Sequence, residues 1–87
     1  MSVFMVERDL KGIAMEALAA AQKAATGKAE EMRQAGSDIR YIRSTFAPDD
    51  GRCMCLFEAA SDSDVMRLND EAGLPYSRVV PAMDLTP

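Results

Sequence analysis

A chain of 87 residues, 48 % hydrophobic and 28 % charged, has room for one domain, residues 1–87, and is too apolar to be disordered. Its net charge of −4, with ten Lys and Arg scattered along it, excludes the clustered basic surface that nucleic-acid phosphates require. Histidine is absent, which removes the commonest general base and the commonest metal ligand together.

The first ten residues, MSVFMVERDL, hold no basic segment followed by a long apolar run, so they do not read as a signal peptide. SVFMVERD is instead β-branched and aromatic and ends in charge, which predicts a first strand. From about Ala14 to Ala35 the apolar stripe Leu18, Ala21, Ala25, Ala29 and Met32 has the three-to-four spacing of one buried helix face. Alanine dominates that stripe, so the helix can lie close against a sheet. Gly27 costs about 1 kcal/mol relative to alanine and marks a place for a bend, and Gly36 is a C-terminal stop.

Ile39 to Ala47 alternates and predicts a second strand. APDDGR has the chemistry of a short hairpin connection, and RCMCLFEA predicts a third strand antiparallel to the second. The regularly spaced oxygens of a calcium loop are missing from Asp49-Asp50-Gly51, which therefore reads as a turn. Ser61 is placed to cap a short second helix, with Asp62 and Asp64 in its first turn and Val65, Leu68 and Ala72 on its buried stripe. Gly73, Leu74 and Pro75 end it. SRVVPAMDL predicts a fourth strand, at a sheet edge because Pro81 cannot donate to a ladder.

Strand, helix, strand, strand, helix, strand is the split βαβ order of an α+β, ferredoxin-like βαββαβ domain: a four-stranded antiparallel sheet with two helices on one face. No run approaches the roughly 20 apolar residues of a membrane span. A cytoplasmic protein with reduced thiols is expected.

The helix-free face needs covering. Phe4 and Val6 alternate with Val3, Met5 and Glu7, and Met54 and Leu56 alternate with Cys53, Cys55 and Phe57. Strands apolar on both faces are buried on both. A homodimer, its sheets packed face to face about a twofold axis, is the expected remedy. Along the second strand, Tyr41, Arg43 and Thr45 share one side and Arg40 and Ser44 the other, which leaves a polar margin beside that interface for a ligand.

The only cysteines, Cys53 and Cys55, stand two apart on the third strand, so their thiols share a face with Cα atoms roughly 6.6 Å apart. Parallel Cβ vectors at that spacing disfavour a disulfide. The pair reads either as two buried small hydrophobes or as two ligands for a soft or borderline ion such as nickel, copper(I) or zinc, whose other donors would come from carboxylates, backbone or a twofold mate. If the strands agree in phase, Glu7, Tyr41, Arg43, Cys53 and Cys55 gather on the helix-free face. Glu7, Tyr41 and Arg43 would there bind a small anion or move a proton, or else hold a strand end by a salt bridge. Lys28, Glu30, Glu31 and Arg33 read as a solvated helix face, and the seven scattered methionines as core filler.

VERDL, YIRSTFAPDDGRCMCLFEA and NDEAGLPYSRVV together resemble a family of small bacterial proteins that carry a domain of unassigned function and are often labelled nickel-binding. The resemblance covers nearly the whole chain. It implies ferredoxin-like dimers of the dimeric α/β-barrel type. It also implies a nickel ion, for which Cys53, Cys55 and Glu7 are the candidate ligands. The wider barrel group includes cofactor-free oxygenases and isomerases, so a small enzyme using Glu7, Tyr41 and Arg43 is the alternative, and a ligand-free interaction module is a third.

Overall fold

Side chains that alternate along a strand decide which face of a sheet is buried. In the computed structural model, which describes residues 1–87, four such strands and two helices follow in the order β1 (Ser2–Asp9), α1 (Met15–Gln34), β2 (Ile39–Ala47), β3 (Arg52–Ala59), α2 (Asp62–Glu71) and β4 (Arg78–Ala82). The sheet order is β2-β3-β1-β4, with every neighbouring pair antiparallel. This is the expected α+β, ferredoxin-like arrangement. Pro81 lies on the outer strand β4, opposite Phe4, where its missing N–H removes no ladder bond from a central strand.

The core forms between the helices and one face of the sheet. Phe4 and Val6 of β1, Phe57 and Ala59 of β3, and Ile39 of β2 meet Ala25, Ala29 and Met32 of α1 and Val65 and Leu68 of α2. Complete burial of side chains such as Phe57 and Leu68 contributes about 1.5–3 kcal/mol each. Met32 is the one buried methionine of the seven, so the expectation of methionine as general core filler is corrected: the others sit at the surface or half-buried.

Helix α1 runs through Gly27 without a break. It stops at Gly36, whose φ of 102° lets the Gly36 N–H reach the Arg33 carbonyl and the Ser37 N–H reach that of Met32. Its stripe is buried only in the second half. Leu18 and Ala21 remain half-buried, because the first half of the helix does not close fully onto the sheet. Helix α2 is capped as expected, the Asp64 N–H donating to Ser61 Oγ at 3.3 Å. It buries Asn69 where the sequence pointed to Ala72, which is half-buried.

One irregularity rephases the sheet. The β2–β3 register slips between Tyr41 and Arg43, so Ile42 is an inserted, bulged residue. No helix is long and apolar enough to cross a membrane.

Candidate functional site

Residues paired across neighbouring strands share a face. The register therefore places Phe4, Val6 and Arg8 of β1 with Phe57, Cys55 and Cys53 of β3, and these with Tyr41, Ser44 and Phe46 of β2. Full burial of Val6 and Phe57 identifies this as the helix-covered face. On the opposite, open face lie Val3, Met5 and Glu7, then Met54, Leu56 and Glu58, with Arg40, Arg43 and Thr45 on one edge and Arg78, Val80 and Ala82 on the other.

The expected gathering of Glu7, Tyr41, Arg43, Cys53 and Cys55 on the helix-free face is therefore corrected. Cys53, Cys55 and Tyr41 face the helices, while Glu7 and Arg43 face away. Two causes act together. The bulge at Ile42 breaks the alternation of β2, so Tyr41 shares its side with Ser44 and Phe46 rather than with Arg43. Phe57, completely buried, also fixes the parity of β3 and draws both cysteines inward with it.

Glu7 is engaged on the open face by the Arg78 guanidinium and, at 3.9 Å, by Arg52. Arg43 pairs with Asp84 at 3.0 Å. These ion pairs match the salt-bridge alternative and dissolve the constellation on which a Glu7–Tyr41–Arg43 enzyme depended.

What the fold brings together instead is a cleft of about 140 Å³ between the first half of α1 and the sheet. Its walls are largely apolar, from Leu18, Ala21 and Ala25 on the helix to Phe46 and Leu74 opposite. Its polar groups all come from the sheet floor and Gln22: Arg8, Tyr41, Ser44, Cys53 and Cys55. Both thiols are free, with their Sγ atoms 3.9 Å apart. Ser44 Oγ donates to Cys55 Sγ at 2.9 Å. Having given its one proton there, Ser44 accepts from the Tyr41 hydroxyl, so Tyr41, Ser44 and Cys55 form a relay along the cleft floor. Burial and the neighbouring Cys55 push the Cys53 thiol up to about 11, while Arg8 works in the other direction.

Arg8 is the residue sequence reasoning missed. It is only 7 % exposed. Its Nη1 donates to Asn69 Oδ1 at 2.9 Å and to the Pro75 carbonyl at 3.1 Å, both neutral acceptors. None of the chain's ion pairs includes it. Asn69, completely buried, is itself aimed by its Nδ2 donating to the Val65 carbonyl at 2.8 Å. The signal was present: Phe4, Val6 and Arg8 are one alternating set.

A second groove of about 240 Å³ lies at the end of β1, where Glu7, Asp9 and Asp50 meet Arg8 and Arg52. Its acids are opposed by guanidinium groups. Nowhere do three His, Cys, Asp or Glu side chains converge to hold a metal ion.

The fold is that of a small ferredoxin-like protein with a cysteine-floored cleft between α1 and the sheet. Residues 4–81 match the family described as nickel responsive protein SCO4226-like, and the chain belongs to that family. It also superposes on the crystal structure of SCO4226 from Streptomyces coelicolor A3(2) with a TM-score of 0.80, over 98 % of this chain and 100 % of that one. The two are 21 % identical, a likeness that shows the fold. No curated protein matches the chain.

The donor set in the cleft does not fit nickel within one chain. Divalent nickel takes four or more nitrogen, oxygen or sulfur donors. Beside its two sulfurs the cleft offers only the Gln22 amide and the hydroxyls of Tyr41 and Ser44, which are bonded to each other and to Cys55, with neither imidazole nor carboxylate among its lining.

Proposed function

We propose that this chain is a small homodimeric protein that binds a metal ion through Cys53 and Cys55 in the cleft between α1 and the sheet. The observation that carries the reading is the pair of free thiols, 3.9 Å apart, at the floor of a cleft large enough for an ion and open on one side. Thiolates are soft ligands and retain soft or borderline ions. The word nickel in the family description supports a metal-linked role. Nickel held here needs donors from outside the chain, from solvent, a small molecule or a second copy. Glu7, the third ligand expected from the sequence, lies on the other face and takes no part.

The homodimer rests on the open face. Val3, Met5, Met54, Leu56, Val80 and Ala82 form its apolar centre, and the flanking charges are already paired in the plane: Glu58 with Arg40, and Glu7 with Arg78. A second copy can cover such a face without burying a lone charge. Both thiols stay reduced in a cytoplasmic setting.

Titration of reduced protein with nickel(II), zinc(II) and copper(I) tests the metal reading. One ion per chain is expected, with binding lost in Cys53→Ser and in Cys55→Ser and retained in Glu7→Gln. Absence of stoichiometric binding for all three ions, or binding indifferent to both cysteine changes, overturns it.

A further inference from the structure

We propose that the cleft is a site for a small organic acid, an apolar body of one ring carrying one carboxylate, and that Arg8 holds the carboxylate. This goes beyond the metal reading above and does not depend on it.

Size and walls are the first argument. The cleft measures about 140 Å³, and an apolar cavity of about 150 Å³ takes benzene. Leu10, Leu18, Phe46 and Leu74 line it and all four are only half-buried. On the helix side Ala21 and Ala25 face them, with side chains too short to fill the gap. A ring seated here removes from water the apolar surface that the fold leaves wet.

The open edge of Arg8 is the second, independent argument. The side chain is 7 % exposed, and both of its acceptors, Asn69 and the Pro75 carbonyl, take hydrogens from Nη1. The Nε and Nη2 hydrogens have no oxygen acceptor in the chain. No fully buried side-chain nitrogen lacks a partner, so these hydrogens open onto the cavities that Arg8 lines. Glu7, Asp9 and Asp50 stand on the outer groove and none forms an ion pair with Arg8: Glu7 is held by Arg78 and Arg52, and Asp9 accepts from the Lys11 N–H. Within the cleft Arg8 is the only charged side chain. The floor beside it is fixed and its hydroxyl protons are engaged, Tyr41 donating to Ser44 and Ser44 to Cys55, while the Tyr41 ring packs on Phe57 with centroids 5.2 Å apart. The donors left open are therefore the exposed Gln22 amide and the Nε–Nη2 edge of Arg8. Two parallel N–H groups on one guanidinium edge match the two oxygens of a carboxylate, whereas an alcohol or a carbonyl occupies only one.

Benzoate is the probe, titrated into the reduced chain with a metal chelator present and followed by backbone amide chemical shifts. One benzoate per chain is expected, with saturating shifts at Leu18, Ala21, Phe46 and Leu74 and none at Met5 or Leu56 on the open face. Benzyl alcohol keeps the ring and lacks the carboxylate, and acetate is the reverse; each is expected to bind at least about 10-fold more weakly. Arg8→Gln lowers benzoate affinity at least about 10-fold and removes its margin over benzyl alcohol. Ala21→Leu fills the cleft from the helix side, leaves Arg8 in place and abolishes saturable binding. Absence of saturating shifts around the cleft, or undiminished binding in a folded Ala21→Leu protein, overturns the site. Equal affinity for benzoate and benzyl alcohol, or an unchanged margin in a folded Arg8→Gln protein, overturns the carboxylate and the role of Arg8. The wild-type comparison and Ala21→Leu decide the question even where Arg8→Gln does not fold. With the chelator present these outcomes are independent of cysteine-dependent metal binding, which stands or falls on the titrations described above.

Discussion

Arg8 carries a full charge into the interior on the strength of two neutral acceptors, and one of them, Asn69, is held in place by its own Nδ2 donating to the Val65 carbonyl. Asn69→Ala strands buried guanidinium N–H groups and opens a void, so it is expected to lower unfolding stability by about 3 kcal/mol, read from urea midpoints. Sequence alternation already placed Arg8 beside Phe4 and Val6; what hid it was its position in a charged strand end, Glu7-Arg8-Asp9, which reads as solvent-facing. Cys53 gives a pH signature of the metal-free chain. Its thiol lies near 11 when folded, raised by burial and by Cys55, against an ordinary 9.0. The folded state thus favours the protonated thiol. The stability this contributes is whole below pH 9 and is lost as pH rises through 11, where the unfolded thiol has ionised first. Wild-type protein is expected to lose urea resistance more steeply than Cys53→Ser between those values, and equal slopes would count against the burial of this thiol.

Strand and helix boundaries were legible because each element carries its own local chemistry: β-branched runs, the Ser61 cap, the Asp-Asp-Gly turn. The first three strands occupy the residues expected of them. The bulge in β2 was not legible. Ile42 is a good strand residue in a good strand run, and no glycine or polar pair marks the extra position, so the face of Tyr41 depended on how β2 meets β3. That single inserted residue moved Tyr41 into the cleft and left Arg43 outside it. The turn and the helix give a matched pair of tests. Gly51, in the β2–β3 connection, has φ of 78°, and a Cβ there would lie 2.4 Å from Lys11 Cα. Gly51→Ala is expected to cost at least about 2 kcal/mol, lowering the melting temperature by about 10 °C. Gly27, within α1, has no atom near enough to meet an added methyl group. Gly27→Ala is expected to stabilise by about 1 kcal/mol and raise the melting temperature by about 5 °C. Calorimetry of the two variants should move in opposite directions.

The two faces of the sheet divide the labour of the whole molecule: one holds the core and the cleft, the other remains to be covered. Asp84, two residues beyond β4, reaches Arg43 on the far edge strand β2, so the C-terminal residues turn across the open face rather than away from it. Met83 and Leu85 on that segment are 77 % and 80 % exposed, which adds apolar surface to the face most in need of a partner. Leu56 sits near its centre, flanked by Met5 and Arg43 on the neighbouring strands. In a face-to-face dimer a carboxylate at this position is buried against the apolar centre of a second copy, with the adjacent Arg43 already paired to Asp84, a penalty of about 3 kcal/mol or more, or at least about 100-fold in dissociation constant. Sedimentation of the 9.5 kDa chain at tens of micromolar is expected to give a dimer, and Leu56→Glu a monomer with an unchanged far-ultraviolet spectrum. Because Leu56 points away from Cys53 and Cys55, the monomeric variant should still take its metal ion. A wild-type chain that sediments as a monomer would remove the dimer and leave the cleft intact, whereas loss of metal binding in Leu56→Glu would mean that the second copy completes the site.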